Sequence, residues 1–209
     1  MTGVSKENNR TMSNIILSFK ELNKLKDTIY ATEVAHGFHD EKHTVDHELG
    51  MVLSEIGEAI DADRNPNAPV PTQKTIDEAL ELAEKPDEQH VAFIAYFKDH
   101  IKGSVVEELA DVAIRLLDLA GSMDVEFDEQ SNLEGTILAS DDTLPDQLFG
   151  FSLGLGSLTF DFADGIEFAD ALQDITRIAK DYTHLDLWQV VRLKMLYNDM
   201  RPWLNGKKY

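Results

Sequence analysis

The sequence predicts an all-α protein, an antiparallel helical bundle, and three observations predict it. Apolar residues recur at helical period through nearly every long segment, no strand-rich alternation competes with them, and cap and breaker residues bound the periodic runs. A chain of 209 residues is long enough to bury a substantial core. It fits one domain spanning residues 1–209, by the usual size of roughly 100–200 residues per domain.

The first segment, SNIILSFKELNKLKDTIYATEVAH, places Ile15, Leu22, Leu25 and Ile29 on one face. Ser13 or Asn14 is the expected cap, and Gly37 follows the end of the helix. The second, about residues 44 to 64, aligns Leu49, Val52, Leu53, Ile56 and Ile60, and the three prolines of NPNAPVP then break the chain. Shorter helices are expected over 73–101. A longer one is expected from Ser104 to Met123, with Val105, Leu109, Val112, Leu116 and Leu119 turned inward. After the polar connection EFDEQSNLEG, helical patterns return at about 143–162, 165–182 and 186–200. The run GFSLGLGSLTF is the ambiguous one, because its glycines disfavour helix while its Leu and Phe content suits a strand.

The absence of cysteine excludes disulfide frameworks, thiolate metal sites and cysteine nucleophiles. A formal net charge of −20 argues against binding a nucleic-acid polymer, since that relies on clustered Lys and Arg. The first residues, MTGVSKENNRTMSN, lack the apolar core of a signal peptide, and no apolar run is long enough to span a bilayer. A cytoplasmic protein without membrane contact is the expectation.

Within MVLSEIGEAIDADR, Glu55 and Glu58 share a helix face with Met51 and Ala62, so two carboxylates interrupt an apolar stripe. Gly57 between them permits close backbone approach. A second i,i+3 pair, Glu108 and Asp111, stands in VVEELADVAIRLLDLAG beside Glu107, Arg115 and Asp118, a pattern much like that of an ordinary solvated face. If the two helices pack antiparallel, the pairs make a four-carboxylate nest, and Mg²⁺, a hard cation that takes oxygen ligands, is its natural occupant.

LSEIGEAIDADR followed at a distance by VVEELADVAIRLLDLAG resembles the ExxE and ExxD signatures of the MazG-like all-α nucleoside triphosphate pyrophosphohydrolases. RLKMLYNDMRPWLNGKKY is similar to the C-terminal segment of one branch of that family. The resemblance implies Glu55, Glu58, Glu108 and Asp111 as ligands of Mg²⁺, or of Mn²⁺ in its place. It also implies cleavage of a ribo- or deoxyribonucleoside triphosphate to the monophosphate and pyrophosphate. Glu55 or Glu58 would position or deprotonate the attacking water.

In LKMLYNDMRP, Lys194, Tyr197, Asn198 and Arg201 occupy the i, i+3, i+4, i+7 positions usually given to an apolar stripe, here filled with hydrogen-bond donors. With Arg192, Lys207 and Lys208 this is the basic end of an acidic chain and the expected substrate-binding segment. Lys and Arg would hold phosphate, and Asn would read sugar or base. Four of the seven histidines, His36, His39, His43 and His47, fall within 12 residues. Glu33 and His36 form one ExxH, the motif that ferritin-like di-iron bundles use twice, but no second ExxH occurs on another helix. Solvated or capping roles are therefore expected for these histidines, and Phe38 among them is a candidate to stack on a base.

In the short members of the resembled family the C-terminal segment follows the ExxD helix closely. Here about residues 126–185 intervene, with two helix-like segments. The second of them echoes the ExxD helix, with Asp174 near the position of Asp111, while the first has no ExxE, so the insertion reads either as a decayed internal repeat of the catalytic helix pair or as two amphipathic helices alike by chance. Assembly is then either a homodimer or a single chain in which the internal copy replaces a second subunit. The rival to the enzyme is a non-catalytic acidic helical binding protein of the same fold that engages a basic partner.

Overall fold

The computed structural model describes residues 17–85, 90–129, 142–159 and 163–200. These residues form eight α-helices and no strand: α1 Phe19–Ala35, α2 Val45–Arg64, α3 Gln73–Ala83, α4 His90–His100, α5 Val105–Ser122, α6 Leu144–Gly154, α7 Gly165–Thr183 and α8 Leu187–Asp199. A 3₁₀ segment, Leu155–Thr159, continues α6.

The starts are set by side chains that satisfy the free N–H groups of a first turn. Thr44 accepts from the N–H of His47, Ser104 from that of Glu107 and Thr143 from that of Asp146. Ser18 and Glu21 form a reciprocal capping box, so α1 begins at Phe19; the expected caps Ser13 and Asn14 lie outside the described residues.

The helix α5 is the axis of the bundle and packs against α1, α2, α7 and α8. Its burial explains this position. Val106, Leu109, Ala110, Val112, Ala113, Ile114, Leu116 and Leu117 are all buried, and together they cover the whole circumference rather than one stripe. Against α2 it runs antiparallel, since Val105 and Val106 lie near Ala62 while Asp118 lies near Glu48. The helix α1 is also antiparallel to α5. Lys26 Nζ donates to the carbonyl of Val125 at 2.6 Å, and Asn23 exchanges hydrogen bonds with the backbone of Phe127 at 2.8 and 3.0 Å.

The ambiguous glycine-containing run is helical as far as Thr159, first α and then 3₁₀. Leu144, Leu148, Phe151, Leu155 and Leu158 are all buried and carry a helical period straight through it. Gly154 and Gly156 are exposed and face open space, so they cost helix propensity without disturbing packing. The helices α6 and α7 pack on each other, α6 also on α2 and α7 on α5. The buried apolar side chains of all these helices belong to a single cluster. Among the described residues no helix is long and apolar enough to cross a membrane.

Candidate metal and phosphate site

A line of charged side chains on α5, from Glu107 to Asp118, is buried or half-buried inside the bundle. The expectation of a solvated face here is wrong, because α5 has no solvated face: Glu107 is 1 % and Asp118 3 % exposed. Glu107, Asp111, Arg115 and Asp118 each find a partner outside α5. Lys194 of α8, itself buried, donates from Nζ to Glu107 and, at 2.6 Å, to Asp111 Oδ2. The other oxygen of Glu107 accepts the N–H of Gly103 at 2.8 Å. Arg115 Nε lies 3.3 Å from Glu55 Oε1 of α2, and His39 Nε2 lies 2.8 Å from Asp118 Oδ1. Phe38 stacks loosely on this line, with the Arg115 guanidinium carbon 5.9 Å from its ring centre.

Within this line, Glu55, Glu108 and Asp111 bring carboxylate oxygens to within 4.8 Å of one another. Their crowding has electrostatic consequences. Burial, then Glu107 and Asp111, raises the Glu108 pKa above the ordinary carboxylate range. Burial also raises Asp111, with Lys194 opposing and Glu107 and Glu55 adding to the rise. Burial followed by Asp118 lifts Glu33 of α1 to about 7, although Arg115 and His39 pull it down. Burial works against the Lys194 ammonium, but Asp111 and Glu107 outweigh it and hold its pKa above the ordinary lysine value. The hydrogen bond to Asp118 raises His39.

The sequence-predicted residues divide cleanly. Glu55, Glu108, Asp111 and Lys194 come together, with Phe38 beside them through Arg115. Glu58 does not join them: it is exposed on α2, next to an exposed Gly57 whose Cα faces open space rather than a neighbouring backbone. Tyr197 is buried and stacks on Phe97 with ring centres 4.7 Å apart, which makes it a packing residue of α8. Asn198 is half-buried, and Arg201 and Lys207 lie outside the described residues. Asp174 is buried 3.5 Å from Arg177.

Sequence reasoning missed Glu107, Arg115, Asp118, His39 and Glu33 as members of the network. The available signal was the alanine- and leucine-rich circumference of α5, which leaves any charge on that helix nowhere to go but inward. At the far end of the α2–α5 pair, Ala62, Pro69, Val105, Tyr182 and Leu185 help line a pocket of about 470 Å³, with Tyr182 donating to Asp63 at its rim.

No family model matches the chain, and neither a curated protein nor a solved structure matches it.

Proposed function

We propose that the chain is a Mg²⁺-dependent hydrolase of nucleoside triphosphates that releases the monophosphate and pyrophosphate. The observation that carries this reading is the convergence of Glu55, Glu108 and Asp111 from two antiparallel helices. The donor set suits a hard divalent cation, since all three groups offer carboxylate oxygen. The charge balance suits it too. Among the described residues of this network, six carboxylates (Glu33, Glu55, Glu107, Glu108, Asp111, Asp118) face three basic groups (Lys194, Arg115, His39), and the raised pKa values of Glu33, Glu108 and Asp111 reflect that shortage of positive charge, which a bound cation would relieve. The MazG-like resemblance of the same two motifs supports the same assignment.

Glu55, Glu108 and Asp111 would hold Mg²⁺, or Mn²⁺ in its place, and the bound ion would offset phosphate charge and make a water molecule more acidic. The chain's own residues do the rest. Arg115 keeps the Glu55 carboxylate turned toward α5, and Lys194 fixes Asp111 from the other side. Phe38 offers a ring face to the base. Glu58, exposed one turn along α2 from Glu55, takes the proton of the attacking water. By the same resemblance, Arg201 and Lys207 would hold phosphate and Asn198 would read sugar or base.

The test is an assay across ribo- and deoxyribonucleoside triphosphates with metal omitted and restored. The expected products are monophosphate and pyrophosphate in equal amounts, and Glu55→Gln and Asp111→Asn should each lose metal-dependent turnover while remaining folded. Nucleoside diphosphate and orthophosphate as initial products would overturn the reading. The second reading, a non-catalytic acidic binding protein, is favoured by one observation: Glu55 and Asp111 already have cationic partners within the chain. It gains if no triphosphate is turned over and metal leaves the melting temperature unchanged.

A further inference from the structure

We propose that His43, His47 and Glu48 form a second metal site, for a divalent transition ion such as Zn²⁺, separate from the carboxylate cluster. One ligand atom of each residue lies within 4.8 Å of the others. All three side chains are half-buried, so they are partly desolvated yet reachable from solvent. The two imidazoles are four residues apart and stack with centres 4.2 Å apart and planes inclined by 12°. Thr44, between them, fixes the backbone by accepting the N–H of His47 at 3.2 Å.

The donor chemistry distinguishes this site from the other cluster. Two imidazole nitrogens and one carboxylate suit Zn²⁺, Ni²⁺ or Cu²⁺, whereas Mg²⁺ prefers oxygen alone. Glu48 lies seven residues before Glu55 on the same helix, about 11 Å away at 1.5 Å per residue, so one ion cannot serve both sites. The same three residues line a cavity of about 20 Å³ with Phe38, His39, Met51, Arg115 and Asp118, room enough for a single water to complete the coordination. Arg115 has no lone pair to offer a metal, and His39, whose Nε2 is bonded to Asp118, brings no ligand atom into the group of three.

The site spans two elements: His43 belongs to the connection between α1 and α2, while His47 and Glu48 belong to the first turn of α2. A bound ion would therefore tie residues 36–44, which carry Phe38, to the helix that carries Glu55.

The experiment uses the full chain, stripped with a chelator, loaded with Zn²⁺ in the presence of excess Mg²⁺, desalted and analysed for metal. One Zn²⁺ per chain is expected for the wild type and for the Glu108→Gln/Asp111→Asn variant, and none for His43→Ala/His47→Ala. Cu²⁺ in the same place should show hyperfine splitting from two nitrogens. His47→Gln alone, with circular dichroism like that of the wild type, should also lose the ion and the Zn²⁺-induced rise in melting temperature. Zinc retained by both histidine variants, or lost with Glu108 and Asp111, overturns the proposal, and so does a Cu²⁺ spectrum without nitrogen coupling.

Discussion

Replacing Glu33 by glutamine isolates the electrostatic burden of the network. The Glu33 carboxyl is buried, and its pKa stands at about 7 against an ordinary 4.5. A folded-state pKa above the unfolded one means that the native chain holds a proton the unfolded chain has already released. Stability therefore falls as pH rises from 4.5, and the fall is complete above 7. At 1.36 kcal/mol per pH unit, ionised Glu33 costs the fold about 3 kcal/mol. Glutamine keeps the shape and removes the titration. Its stability relative to wild type should be independent of pH below 4.5, climb between 4.5 and 7, and level off about 3 kcal/mol higher, which is roughly 6–12 °C in melting temperature for a chain of this size. Urea unfolding of both proteins at half-unit steps from pH 4.5 to 8.5 measures this. The contribution of Glu108 is common to both proteins and cancels in the difference, while the smaller couplings of Glu33 to Asp111 and His39 stay in it. Parallel stability curves, with no pH-dependent gap, would refute the burial of an ionisable Glu33 beside Asp118.

Glu107→Ala should destabilise by about 3–5 kcal/mol, because it leaves Lys194 buried with one carboxylate instead of two and the Gly103 N–H without its acceptor; chemical denaturation reads this directly. Gly121→Ala sets helix propensity against packing: the new Cβ would lie 2.6 Å from Tyr30 Cβ, so α1 must move. Overpacking of about 1–3 kcal/mol exceeds the ~1 kcal/mol propensity gain, and the melting temperature should drop; a rise would show that α1 and α5 separate freely. Glu58→Gln should leave stability within about 0.5 kcal/mol of wild type while removing turnover, whereas retained activity would assign proton transfer elsewhere.

The helices α2 and α5 were legible to within a residue, since Thr44 and Ser104 announce their starts and long apolar periods fill them. Spacing alone could not rank Glu55 against Glu58. Residues three apart differ by only about 60° around a helix, and which of them faces inward depends on where α5 settles. The stripe on α8 illustrates the same limit. Lys194 and Tyr197 read as donors for a ligand, but the bundle turns that face inward, where Lys194 neutralises carboxylates and Tyr197 packs on Phe97. A central helix defeats the assumption that charge marks the outside, because the charges of α5 are answered by side chains distant in sequence.

That distance matters during synthesis. Lys194 is separated from Asp111 by 83 residues, which a ribosome adding about 5–20 residues per second needs roughly 4–17 s to make. Throughout that interval α1, α2 and α5 can already meet, yet the acidic groups of α5 await their lysine. The nascent chain must bridge the wait with borrowed positive charge, as protons or dissolved cations, or hold α5 undocked until α8 arrives.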